Sequence, residues 1–153
     1  MIARLVLILV LLAAPVLACE VPTGLPTLRA ELLALTNAQR LSAGLVALAR
    51  DRRLDEAAQE QACRMADHER LSHRGSWFAG LGRRLRREHY AYAVAVENIG
   101  EGHRSAAEVI TGWMDSADHR HNMLATGVRD AGFGVARAAN GRLHWSMVAA
   151  APR

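Results

Sequence analysis

Lysine is absent from the chain: all 19 basic residues are arginine. Alanine is abundant beside it, so the missing lysine reads as a coding bias toward Arg, Ala and Gly and not as a binding signal. No low-complexity tract or internal repeat interrupts the sequence, which excludes a solenoid. Cysteine is nearly absent too, with two residues, Cys19 and Cys63. After one apolar run at the N-terminus no second one follows, so the rest of the chain is expected to be soluble. Neither a recognition-helix signature nor a base-stacking motif accompanies the positive charge, which argues against nucleic acid as a partner. The nucleophile elbow Gly-x-Ser-x-Gly is missing, and so is His-Glu-x-x-His. Gly132-x-Gly134 lacks the third glycine of a dinucleotide loop and opens a strand instead of a helix. These absences lean against an enzyme.

What is present suits one exported domain. The 153 residues, 51% hydrophobic and 22% charged, match a single globular unit preceded by a leader. Residues 1–18 read as a signal peptide: Arg4 supplies the positive n-region, residues 5–12 are continuously apolar, and Val16-Leu17-Ala18 is a small-residue cleavage site. Arg4 leaves with that leader, so 18 arginines face 15 acidic residues in the mature chain, a charge of +3. The expected location is periplasmic or extracellular. Cys19 follows the cleavage site, and its fate is open between a disulfide to Cys63, lipidation at an imperfect lipobox, and a free thiol. Lipidation would anchor the protein to a membrane. Export to an oxidising compartment favours the disulfide.

Residues 19–27 read as an extended lead-in, and the domain as residues 28–150. Thr27 is a candidate cap for a first helix with Leu28, Leu32, Leu35 and Ala38 on its apolar face, ended by Gly44. A second helix is expected over residues 54–70, with Leu54, Ala58, Ala62 and Met65 on one face. Arg83, Arg84, Arg86 and Arg87 around Leu85 suggest a short helix with a solvated basic side. A strand runs from Tyr92 to Glu97-Asn98-Ile99. Ser105-Ala106-Ala107-Glu108 is a capping box opening a third long helix, in which Ile110, Trp113 and Met114 are buried. Ser116 and Asp118 are candidate caps for a short helix through Leu124. Asn140-Gly141 between two apolar runs is a hairpin signal. Helices first and antiparallel strands last imply an α+β fold.

The ordered motifs are more specific than any one of them. Asn37, Arg40 and Gly44-Leu45 come first, then Ser72-His73-Arg74-Gly75, then Glu97-Asn98-Ile99. Next is Gly112-Trp113-Met114-Asp115-Ser116-Ala117-Asp118-His119-Arg120-His121-Asn122-Met123-Leu124. Gly132-Phe133-Gly134-Val135 and Leu143-His144-Trp145 close the set. This series resembles the CAP superfamily (SCP domains): cysteine-rich secretory proteins, insect antigen 5 and plant pathogenesis-related proteins, and among them the compact bacterial members. The resemblance covers about residues 28–148. It implies a three-layer α-β-α sandwich and a cleft with two histidines and two glutamates. By resemblance His73 and His119 supply the histidines and Glu97 the first glutamate. The second glutamate falls near Ser116, a departure; Asp115 points about 100° away on a helix, and Glu108 is occupied as a capping partner.

Two imidazoles and a carboxylate suit a weakly bound divalent metal such as zinc at His73 and His119, with no cofactor required. His121 is two residues from His119 and faces another way. The bland alternative makes His73 and His119 a hydrogen-bonding pair that fixes a loop to a helix. The leading functional expectation is a monomeric, non-catalytic binding domain. Its ligand would be a small molecule, a lipid or another component of the cell envelope. The alternatives are a metal-assisted hydrolase with Glu97 as general base, and a secreted scaffold that binds a protein partner.

Overall fold

A computed structural model describes residues 19–73 and 80–153. The leader expected over residues 1–18 lies outside the described residues, as do Arg74 and Gly75 of the second motif. The chain runs α1 (Leu25–Ser42), β1 (Ala49–Arg50), α2 (Arg52–Asp67), α3 (Leu81–Arg87), β2 (Tyr92–Glu101), α4 (Ala106–Asp115), α5 (Ala117–Met123), β3 (Asp130–Arg137) and β4 (Leu143–Pro152). The four strands form one sheet in the order β1-β3-β4-β2. β1 is parallel to β3, and the other pairs are antiparallel. Among the described residues no helix is long and apolar enough to cross a membrane.

The period-two alternation of β3 and β4 creates the layers. Ala131, Phe133 and Val135 join Trp145, Met147 and Ala149 in a core shared with Leu32 of α1, Val109, Ile110 and Trp113 of α4, and Met123 of α5. On the other face Val148 and Ala150 meet Leu54, Ala57 and Ala58 of α2 and Leu85 of α3. The result is an α+β, three-layer α-β-α sandwich. The α2 stripe Leu54, Ala58, Ala62 and Met65 is buried, and Asp51 caps that helix by accepting from Arg53 N at 2.8 Å. Ser105 caps α4 through Glu108 N at 3.2 Å, and Gly141 makes the hairpin turn with φ 83°.

Three features depart from the sequence reading. α1 starts at Leu25, with Pro26 in its first turn and Gly24 as the cap, so Thr27 is inside the helix. Its deeply buried line is Arg29, Leu32, Thr36 and Arg40, while Ala38 is exposed. Arg40 is fully buried and acts as a clamp. Its Nη1 donates to Met123 O at 2.8 Å and Ala125 O at 2.9 Å, where the partial negative charge at the end of α5 favours a cation. Arg84 is the third departure: it is 1% exposed and lies in no solvated face.

Cys19 and Cys63, 44 positions apart in sequence, form a disulfide with Cα atoms 5.2 Å apart. With Cys19 sulfur so bonded, the lipid-anchor alternative loses its attachment atom. The bond holds the N-terminal segment where Glu20 O accepts from Arg137 N at 2.8 Å, covering the end of β3. Opening it in Cys63→Ser is expected to cost about 2–4 kcal/mol. Urea unfolding of oxidised and reduced protein measures this, and coincident midpoints would contradict it.

His144 on β4 is fully buried, and neither ring nitrogen has a hydrogen-bond partner among the described residues. Burial holds its pKa below the usual 6.5, against the nearby Glu101 and Glu69, which raise it; Arg142 lowers it further. Its neutral form is therefore favoured in the fold, and the unfolded chain takes up a proton first as pH falls. The sign follows: stability is full above the unfolded value and declines as pH drops from there toward the depressed folded value. Thermal unfolding from about pH 7.5 down to about pH 5.5 should show a falling Tm, and His144→Leu should flatten that fall. Identical slopes in the two proteins would refute the assignment.

Candidate functional site

β2 is an edge strand, so residues from its two faces meet around its free side. Glu97 pairs in register with Val148 and faces α2 and α3. Asn98 faces the opposite way, toward α5. Its Nδ2 donates to His119 O at 2.8 Å, and Asn122 Nδ2 donates to Asn98 Oδ1 at 2.9 Å and to Glu97 O at 3.1 Å. Trp113 Nε1 covers Ile99 O at 2.9 Å. The C-terminal half of the edge is thus occupied by side chains of α4 and α5, and α5 is fixed beside Glu97.

Glu97 is 8% exposed. Its Oε2 lies 3.0 Å from His73 Nδ1, and its Oε1 accepts from Arg84 Nη2. Arg84 is held in turn by Ala57 O at 3.1 Å and by Gln61 Oε1 at 2.8 Å. Gln61 Nε2 donates to Ser72 O, the residue before His73. Burial pulls the Arg84 pKa below its ordinary value and Glu97 pushes back; a guanidinium stays charged regardless. His73 has a half-exposed side chain, 53%, so its ring borders solvent while one nitrogen rests on the carboxylate.

His119 is half-buried, on α5. Burial lowers its pKa first, the charge of His73 lowers it further, and Asp118 opposes both. The neutral ring, with one nitrogen able to accept, is thereby favoured. Ser116, one turn earlier, is the N-cap of α5, yet its hydroxyl makes no capping bond. His121 is exposed. Arg120, a candidate partner of Glu97 or Asp118 from sequence, instead donates from Nε to Met114 O at 2.5 Å.

Sequence reasoning missed Arg84 and Gln61. A signal existed for both. Leu81, Arg84 and Leu85 recur at i, i+3 and i+4 of α3, so Arg84 lies on the apolar stripe. Gln61 sits on the α2 face between Ala58 and Met65, likewise a buried position. As to a metal, no group of three or more His, Cys, Asp or Glu side chains is disposed to hold one among the described residues. The two imidazoles fall short of the three protein ligands of a catalytic zinc.

Residues 33–149 match the sequence model of the Cysteine-rich secretory protein family, CAP. The uncharacterized protein YkwD of Bacillus subtilis is 29% identical over 103 residues, which are 67% of this chain and 40% of that protein. The chain thus spans well under half of that relative. An extracellular protein of Bacillus anthracis containing an SCP domain superposes with a TM-score of 0.71 at 26% identity, over 80% of this chain and 40% of that one. An outer surface protein of Borrelia burgdorferi has a TM-score of 0.77 at 15% identity, over 88% of this chain and 98% of that one, a likeness of fold alone.

Proposed function

The chain belongs to the cysteine-rich secretory protein (CAP) family, and on that premise we propose that it is an exported, non-catalytic binding domain. Its ligand, a small molecule or lipid of the cell envelope, places a polar group between His73 and His119. The observation that carries this reading is the state of Glu97. Both of its carboxylate oxygens are engaged, one by Arg84 and one by His73. With Glu97 only 8% exposed, acting as a general base would require it to give up one of these contacts or to offer a second lone pair, which favours the binding reading over the hydrolase. Ser116 and His119 share no hydrogen bond among the described residues, so this pair lends no support to a nucleophile. Export agrees with the disulfide, which persists in oxidising compartments, and with a relative described as extracellular.

Native mass spectrometry of the protein recovered from its own envelope tests the proposal. The wild type should carry a non-covalent adduct that His73→Ala/His119→Ala loses. An adduct kept by that double variant would contradict the cleft. Hydrolysis of a casein or ester substrate, abolished by His119→Ala and resistant to trace-protease controls, would restore the enzyme reading.

A second reading has one supporting observation. A histidine whose Nδ1 rests on a carboxylate is the arrangement that orients metal-ligating imidazoles. His73 Nε2 and His119 would then hold a divalent ion loosely. Calorimetry with zinc chloride near neutral pH should give heat that both single alanine variants lose; no heat in the wild type ends this reading.

A further inference from the structure

We infer that the Glu97 carboxylate, with Arg84 as its positioning residue, decides which nitrogen of His73 carries the proton, and with it the hydrogen-bonding sense of the cleft. The inference deepens the binding role proposed above and rests on that reading for its consequence, though not for its geometry.

The argument begins with donors and acceptors. An ionised carboxylate only accepts, and a guanidinium only donates. Arg84 is fixed at three separate acceptors, Ala57 O on α2, Gln61 Oε1 on α2 and Glu97 Oε1 on β2. A planar fork tied at three points and 1% exposed has no other rotamer open to it. Glu97 Oε1 is therefore committed, and Oε2 is left facing His73 Nδ1 at 3.0 Å. An acceptor on that side requires Nδ1 to be the donor. In the neutral ring the single proton then sits on Nδ1, and Nε2 keeps its lone pair.

Gln61 serves both ends of this chain of contacts. Its oxygen holds Arg84, and its amide nitrogen holds Ser72 O beside His73. The loop that carries the histidine and the arginine that orients its carboxylate are thus referred to one side chain of α2. The consequence for binding is specific. With its ring neutral, His73 offers the cleft an acceptor at Nε2, so the cleft then favours a ligand that presents an N–H or O–H group, such as a hydroxyl or amide headgroup. It disfavours a bare carboxylate or phosphate oxygen at the same point.

The test reads the His73 tautomer directly, by long-range 1H–15N correlation of the ring at about pH 8, where imidazole is neutral. The wild type should prefer the Nδ1–H form by about tenfold or more, the scale set by a hydrogen bond to a charged group. In Glu97→Gln, Arg84 still demands the oxygen of the side chain, so the amide NH2 turns to His73 and Nδ1 must accept. The preference should reverse to Nε2–H. In Arg84→Met/Glu97→Gln the amide can turn either way, and the reversal should vanish. Arg84→Lys/Glu97→Gln keeps a donor at that place and should recover part of it. A merely structural arginine would not move this readout in folded protein.

Glu97→Gln retaining the Nδ1–H form overturns the inference, as does reversal that persists without Arg84. Should the Arg84→Met combination not fold, Gln61→Met/Glu97→Gln replaces it: loosening the guanidinium should leave a mixture, and full reversal there overturns the inference as well. The binding reading fails separately. If the tautomers behave as described while the envelope adduct survives in His73→Ala/His119→Ala, the positioning role stands and the binding cleft does not.

Discussion

Gly132→Ala is expected to prevent folding or to weaken it by about 4 kcal/mol or more, among the largest effects of any single methyl group in a domain of this size. A Cβ at that position would lie 2.1 Å from Asp55 N and 2.1 Å from Leu54 C. At Gly134 it would lie 2.4 Å from Ala58 C, Ala58 O and Gln59 N. These are backbone atoms of α2, which no rotamer change can move. The helix would have to lift from β3 by more than about an ångström, and overpacking of that kind is relieved only by backbone shifts. Lifting α2 would also break the contacts by which its side chains cover the strand. Neither glycine has a positive φ, so the requirement is for closeness and not for unusual torsion. Gly80 makes the control, since a Cβ there meets nothing within 4 Å and its φ is −62°. Urea unfolding of Gly132→Ala, Gly134→Ala and Gly80→Ala should give two strongly destabilised proteins and one near the wild type. A Gly132→Ala midpoint equal to that of Gly80→Ala would mean that the helix does not ride on the strand as described.

That packing explains part of what the sequence conveys and part of what it conceals. The α2 stripe, the Ser105 and Glu108 cap and the Asn140-Gly141 turn are local patterns, and each is legible because its cause lies within a few residues. β1 has no such cause. It is two residues long, and Ala49 and Arg50 become a strand only because Asp130 and Ala131 lie alongside. The buried arginines conceal themselves for a related reason. Read along the chain, Arg29, Arg40 and Arg84 look like solvated charge. In the fold their donors close backbone carbonyls at a strand edge, at a helix end and beside Glu97, positions that exist only after distant elements dock. The site has the same character. His73, Glu97 and His119 were recognisable through the family resemblance, because their spacing carries no periodic signal. What brings Glu97 and α5 together is the position of β2 at the sheet edge, a property of strand order and not of any motif.

Asp55→Ala is expected to cost about 3–5 kcal/mol, the range for breaking a buried ion pair from one side. Asp55 is fully buried at the start of α2. Its Oδ1 accepts from Phe133 N at 2.8 Å, and its Oδ2 accepts from Arg50 Nε at 2.7 Å. Arg29 Nε stands 3.7 Å from Oδ1 and donates to Phe133 O at 2.7 Å. Farther along β3, Gln59 accepts from Val135 N at 3.1 Å and donates to Val135 O at 2.8 Å. β1 stops at Arg50, so these side chains take the place of a neighbouring strand at Phe133 and Val135, before Glu20 covers Arg137 at the end of β3. They satisfy the outward backbone groups and block the edge against another chain. Alanine would leave Phe133 N–H buried without its acceptor and Arg29 without its nearest negative charge. Arg50 is 37% exposed and can turn to water, so Arg29 carries most of the penalty. Asp55→Asn keeps the acceptor for Phe133 N but removes the charge and turns an amide NH2 toward Arg50 Nε, which can swing to water, and should cost about half as much. Asp55→Leu/Arg29→Met should recover part of the loss, since it removes both charges together. Urea midpoints in the order wild type, Asn, Leu/Met double variant at or above alanine would bear this out. A double variant less stable than Asp55→Ala would show that Arg29 holds the edge of β3 without help from the carboxylate.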